Sequence, residues 1–310
     1  AVAINSTNMN HAPVSIRGSV SVEKLRMPDR VYRPRVLPWP DQFAMGREEF
    51  TRAFPNDVWK DENTEDTWPV EKTAIRQEFS TNAAGQDTVQ LAHLEPGRYR
   101  VTVTAKDPSG DTLLLKYFFT AYSDDMNAPA TMEGATLYPF MQTCEPGDTA
   151  RVLFGTSFSD AHVLYQVERM RGIAEERWLL MNNEQRAFSC PIAEEDRGGV
   201  RMRFSIVRDG RHYLKEAFIT VPWTNKELKL STSVFRDKML PGSKEEWRLT
   251  VKGGKAESVA AELVATMYDA SLDAIHGNEW ARFTNPMLRG ASLQSAAPAP
   301  DAAHDAGCTG

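Results

Sequence analysis

Ser157, Asp160 and His162, inside the string GTSFSDAH, bring a hydroxyl, a carboxylate and an imidazole into one short stretch. Together they could run acyl transfer if the hydroxyl met the imidazole and the carboxylate oriented it. The spacing argues against this. Residues so close along a strand and its tip point to opposite faces or into solvent. No G-x-S-x-G elbow is present to lift the serine onto an exposed turn. Ser, Asp and Gly are also turn formers, and a turn is the expectation here.

The other reactive side chains are equally scattered. The histidines at 11, 93, 162, 212, 276 and 304 include no H-x-x-x-H pair and none at ligand spacing from a cysteine. Satisfied or surface histidines are therefore expected, not a metal centre. Cys144, Cys190 and Cys308 make an odd, widely spaced set, neither a disulfide scaffold nor a zinc site. Cys144 and Cys190 either pair or stand as two buried, inert thiols. The acidic run at 60–66, KDENTED, reads as a solvated loop, because it lacks the D-x-D-x-D-G spacing of a calcium loop. Asn5-Ser6-Thr7 has the form of a glycosylation sequon. Gly-rich phosphate loops are absent. No catalytic, cofactor-binding or metal-binding residue is nominated, no cofactor is expected, and the chain is read as a non-enzyme.

Composition narrows the partners. The chain has 310 residues, enough for two or three domains, with 41% hydrophobic and 25% charged residues. The net charge is −6, with acidic and basic residues interspersed, so nucleic acid is not an expected partner. No apolar run approaches the roughly 20 residues of a membrane-spanning helix. The first residues, Ala1-Val2-Ala3-Ile4, show no signal-peptide pattern, and the chain is read as a piece of a longer one.

Short alternating segments recur along the chain. Val14, Ile16, Val20 and Val22 alternate with polar residues, with Gly18 as an expected bulge. Pro28, Pro34 and Pro38 stop that ladder. Between 39 and 70 a short helix is expected, capped by Asp41, with Phe43, Phe50 and Phe54 on one face and Pro55 ending it. Strands resume over 74–79, 89–91, 99–105 and 113–122, the last two joined by the turn residues Asp107-Pro108-Ser109-Gly110. Residues 123–135 read as a polar linker. Beyond it, strands are expected over 150–155, 163–169, 177–181, 200–207 and 212–221, with turn signals about every 8–12 residues, the rhythm of a sandwich. Residues 222–226 form a second linker.

The stretch 235–280 is the most informative. A Pro241-Gly242 turn leads into Trp247, Leu249 and Val251, which alternate with Glu246, Arg248 and Thr250 as a half-buried strand does. Gly253-Gly254 breaks it. In the following run, Val259, Leu263 and Met267 fit a helix face, while Val259, Ala261, Leu263, Ala265 and Met267 also fit alternate strand positions. Glu145-Pro146-Gly147 and Leu240-Pro241-Gly242 each precede a strand, a polar tip and a second strand, restarting at Val163 and Val259. Residues 290–310, rich in Ala, Gly and Pro, lack the apolar area to offset ordering.

The string AAELVATMYDASLD at 260–273, followed by His276 and Trp280, resembles the bacterial branch of the alpha-2-macroglobulin family, as do the PG turn and the charged-tip strand before it. The likeness extends over about 14–283 and is closest at 222–283. It implies a strand over 258–268 and an all-β chain of tandem immunoglobulin-like, macroglobulin-like antiparallel β-sandwiches. The expected units are 1–124 with an insertion at about 39–70, 125–223, and an incomplete 224–310. The family traps peptidases, which cut an exposed bait segment. The resemblance therefore implies a structural, non-catalytic module of a peptidase-trapping inhibitor. Its expected partners are proteases, met through the full-length protein, and neighbouring macroglobulin domains. An extracellular, cell-surface or periplasmic location is implied. The family's C-x-E-Q thioester string is absent, since Thr309 and Gly310 follow Cys308. Residues 284–310, small and Pro-containing, are read first as ordinary loop disorder, with a bait segment cut at Arg282 or Arg289 as the sharper alternative. A cell-surface binding or adhesion module is the competing reading.

Overall fold

The computed structural model describes residues 1–36, 41–91, 93–106, 110–234, 242, 244 and 246–253. The first sheet grows from β2 (Arg17–Leu25), which is flanked by β3 (Val70–Ser80) and β5 (Gly97–Lys106), with β6 (Thr112–Ala121) at one edge, all antiparallel. Facing it is a two-stranded ribbon of β1 (Val2–Asn5) and β4 (Gln86–Val89). The period-two pattern does what it should. Val20, Val22, Tyr99 and Val101 point inward and meet Ile4 and Val89 from the ribbon. Tyr99 sits opposite Phe119 with the rings stacked at 5.4 Å, and its buried hydroxyl donates to the Glu95 carbonyl at 2.8 Å.

Gly18 is not the bulge. The register slips at Val22/Glu23 and again at Lys24/Leu25, whereas Gly18 pairs regularly with Phe79 and Ala105. Its lack of a side chain has another cause. A Cβ there would lie 2.3 Å from the Thr104 carbonyl oxygen and 2.7 Å from the Phe79 ring. Glycine lets that ring lie flat over the strand.

The second sandwich pairs a three-stranded sheet with a four-stranded one. The first contains β7 (Thr136–Pro139), β8 (Thr149–Thr156) and β11 (Glu184–Pro191), with β8 central. The second runs in the order β10 (Gly172–Met181), β9 (Ala161–Arg169), β12 (Val200–Arg208) and β13 (Arg211–Ile219). Phe154 and Phe188 from one sheet meet Tyr165 and Phe204 from the other in a single buried cluster. Asp209 and Gly210 join β12 to β13 with φ of 51° and 69°, the two positive angles of a type I′ turn.

Residues 122–134, which include most of the stretch read as a polar linker, separate the two buried clusters along the chain, and part of them is buried. Ala130 and Thr131 are buried. The Gln185 amide nitrogen donates to the carbonyls of Ser123 and Met126 at 2.7 and 2.9 Å, and Tyr122 stacks on Tyr138 at 4.1 Å. A third pairing joins β14 (Leu228–Val234) and β15 (Arg248–Gly253), with Leu230 opposite Val251. Trp247 lies just outside β15 and is exposed. The strand expected at 258–268 lies outside the described residues, as do Pro241, Cys308 and 284–310.

The helix of the insertion, α1 (Arg47–Ala53), starts later than expected. Gly46, not Asp41, takes the N-cap position, and no side chain caps it. Aromatic contacts hold it instead: Phe50 lies 5.2 Å from Phe54 and 5.1 Å from Trp59, and Phe43 lies 4.3 Å from Trp59.

Candidate functional site

Ser157, Asp160 and His162 do not converge into a reaction centre. Ser157 lies just past β8, where its hydroxyl donates to the Thr131 carbonyl at 2.9 Å and accepts from the Glu133 amide at 3.2 Å. Asp160 has φ 50° in the turn before β9, and His162 lies on β9 opposite Leu180 with its side chain exposed. Each does turn or strand work. A hydroxyl–imidazole contact that the sequence reading did not single out joins Ser205 Oγ to His212 Nε2 at 2.6 Å on the outer face of the sheet. Among the described residues no hydrogen bond joins His212 to a carboxylate, so nothing orients that pair as a nucleophile and base. Among the described residues no group of three or more His, Cys, Asp or Glu is placed to hold a metal ion.

Three of the four carboxylates in the acidic run are paired by cations of the chain itself. Glu62 meets Arg47 at 3.4 Å, Glu65 meets Arg98 at 2.8 Å, and Asp66 meets Lys116 at 2.6 Å. The hydrogen bond from Lys116 holds the Asp66 carboxyl below the usual carboxylate range. Cations supplied by β5 and β6 thus occupy carboxylates that a calcium ion would need.

Cys144 and Cys190 are buried, free thiols. Burial pushes both above the ordinary thiol value, more than the Arg169 guanidinium, 3.5 Å from the Cys190 sulfur, lowers the second. Both therefore stay protonated at pH 8. A thiol reagent such as DTNB is expected to leave them unmodified in the folded chain and to react with them fully in guanidinium. Prompt labelling of Cys190 in the folded chain would contradict this burial.

Two features were not visible in sequence. At one end of the second sandwich, within the charged string EEDRGG, Asp196 accepts from the Arg169 guanidinium and from the Ala193 amide at 2.8 Å. Beside it, Arg197 is 7% exposed. It reaches Glu194 at 2.7 Å, Glu145 at 3.3 Å, the Thr224 hydroxyl at 3.0 Å and the Pro222 carbonyl. Those last partners belong to the segment that leads into β14, so Arg197 ties that exit to the sandwich. The second feature is apolar. The two-stranded ribbon covers only part of the first sheet, leaving a groove of about 450 Å³ between Val2, Leu91, Val103, Leu115 and Tyr117. On the second sandwich, Trp178, Leu180 and Val207 are exposed on the outer face.

These features define a class first. The described residues form antiparallel β-sandwiches whose polar side chains are spent on turns, ion pairs and junctions, and no assembled catalytic group is found among them. Residues 137–275 match the family model described as the Alpha-2-macroglobulin bait region domain. No curated protein matches the chain. Among solved structures, a mutant Salmonella alpha-2-macroglobulin is similar at 16% identity and a TM-score of 0.30, covering 80% of this chain and 14% of that one. Salmonella alpha-2-macroglobulin reacted with methylamine is similar at 16% identity and a TM-score of 0.30, covering 78% of this chain and 14% of that one. Trypsin-activated alpha-2-macroglobulin from Escherichia coli is similar at 11% identity and a TM-score of 0.24, covering 75% and 17%. The family likeness read from the sequence is supported by this bait region domain match, which covers residues 137–275. The chain spans about one seventh of the length of the first two solved structures it resembles. No helix among the described residues is long and apolar enough to cross a membrane.

Proposed function

We propose that the chain is a structural module of a peptidase-trapping inhibitor and performs no reaction itself. The observation that carries this reading is the match of 137–275 to the bait region domain. The two separate buried clusters, one built from Ile4 to Phe119 and the other from Ala135 to Val221, support a division into 1–124, 125–223 and a third unit from 224. In this reading the sandwiches hold a cuttable segment, placed at 284–310, in reach of a protease. Full-length protein acts on proteases, and neighbouring macroglobulin modules cover the exposed apolar faces. The location is the cell surface or the periplasm.

An adhesion module that binds glycans would present converging exposed aromatics. Trp178 and Phe218 are both exposed on the four-stranded sheet, but they occupy its opposite edges, β10 and β13. Three strand spacings place them about 14 Å apart across the sheet. They also lie in different rows, Phe218 in that of Arg201 and Trp178 in that of Ser205, four residues apart along β12, so they do not converge on one platform. The trap reading is favoured.

The test uses the full-length protein and trypsin. Physical enclosure blocks large substrates and leaves small ones free to enter. Trypsin mixed with the protein is therefore expected to lose activity on a large protein substrate and keep it on a small chromogenic amide. Equal loss on both, or no loss on either, would overturn the proposal.

A further inference from the structure

The connection between β2 and β3 covers residues 26–69, far more chain than an antiparallel neighbour needs. Its base is closed by a hydrogen bond from the Arg26 amide to the Pro69 carbonyl at 2.8 Å. Its two arms are tied together, since the Arg33 amide donates to the Asn56 carbonyl at 2.8 Å and the Arg33 side chain grips the Asp57 carboxylate in a two-point pair. From these arms, contacts cross to the second sandwich. Arg33 Nη1 donates to the Asp209 carbonyl at 3.1 Å, and Asn56 Nδ2 donates to the Asp209 carboxylate at 3.1 Å. In return, Arg211 Nε donates to the Pro34 carbonyl at 2.9 Å. Val31 packs against the buried cluster of the second sandwich. Three guanidinium groups, of Arg33, Arg35 and Arg211, act on the single carboxylate of Asp57.

We propose that residues 26–69 are a brace: they fix the angle between the two sandwiches by gripping the Asp209–Gly210 turn of the second. The target is suited to the role. A type I′ turn is a rigid two-residue link, and its left-handed backbone turns the Asp209 carbonyl and carboxylate outward together. The brace carries its own aromatic cluster, with α1 and Trp59, so its arms hold their shape before they reach across. The 122–134 segment attaches the sandwiches at another point, through Gln185 and the Tyr122–Tyr138 stack. Two attachments stop the rotation that one would allow. Asp57 is the keystone, because its carboxylate takes the two-point pair that holds the Arg33 guanidinium in reach of Asp209.

The test is made on the 310-residue chain. The double variant Asn56→Ala, Arg211→Ala removes two of the crossing hydrogen bonds and leaves the Arg33–Asp57 pair intact. Small-angle X-ray scattering is expected to show a larger maximum dimension. Amide exchange of 31–36 and 54–58 should accelerate by about tenfold or more while β2, β3 and β12 keep their protection. Asp57→Asn, which preserves size, is expected to give the same pattern. Scattering and exchange curves that superimpose on those of the unaltered chain would overturn the brace. If the double variant loses its sheet circular dichroism, Asn56→Ala alone, at a half-buried position, is read by the same two criteria.

Discussion

Phe204→Ala is expected to destabilise the second sandwich by about 3–5 kcal/mol, the range for removing a large aromatic from a closed core. Phe204 has no exposed surface. Its ring stacks on Phe154 at 4.2 Å and lies 4.9 Å from Phe188 and 5.0 Å from Tyr165, so it touches both sheets at once. Alanine would leave a void bounded by three rings that sit on strands in fixed register, so little collapse can fill it. Chemical denaturation reads the loss as a lower midpoint for the transition of this sandwich. Val207→Ala, three residues along the same strand and 77% exposed, is expected to change stability by less than about 0.5 kcal/mol. A Phe204→Ala variant within 1 kcal/mol of the unaltered chain, at about the error of a surface change, would mean that the sheets do not face each other across this ring.

The second large effect is expected at Asp196. Its side chain is 1% exposed and binds the guanidinium of Arg169, whose own side chain is 28% exposed. Asp196→Ala strands that guanidinium beside the Cys190 sulfur and removes the acceptor of the Ala193 amide. Breaking a buried pair from one side costs about 3 kcal/mol or more, and the partial exposure of Arg169 places the expected loss near the low end. Asp196→Asn keeps an oxygen for Ala193 and removes the charge, so it should fall between alanine and the unaltered chain. The exposed pair of Lys72 and Glu95, 3.3 Å apart with both side chains more than 60% accessible, sets the contrast. Lys72→Ala should cost less than about 1 kcal/mol. Equal effects of Asp196→Ala and Lys72→Ala in thermal unfolding would contradict the buried geometry.

The strand rhythm was legible wherever apolar and polar residues alternate strictly. Tyr99, Val101 and Ala105 announced β5, and Val200, Met202, Phe204 and Ile206 announced β12, because one face of each is buried and the other meets polar neighbours. Two of the strands that the sequence reading passed over, β7 and β11, lack that contrast. β7 is four residues long and ends in Pro139, and β11 buries Gln185 among its inward positions. Gln185 is buried because two backbone carbonyls of the 122–134 segment receive its amide, and those partners lie about sixty positions away. Local pattern cannot show such pairings. The same holds for Arg33, whose partner Asp209 is 176 positions distant. The charged string at 194–199 gives no local sign of burial, because charge normally means exposure. Asp196 and Arg197 are buried because each finds a counter-charge and a backbone partner. The negative side of the site was more legible. The string GTSFSDAH carries no elbow; Ser157 hydrogen-bonds to the Thr131 carbonyl and Asp160 takes a left-handed turn conformation, while His162 lies on β9.

The account depends most on one idea: the sandwiches are an inert scaffold, and a protease first meets the segment beyond Arg282. Brief exposure of the chain to a low ratio of trypsin, followed by mass spectrometry of the first products, tests it most directly. The account predicts that the earliest cut falls within 282–310 and that a fragment retaining 1–234 survives it. An earliest cut within 1–234, in the sandwiches or the brace, would contradict it.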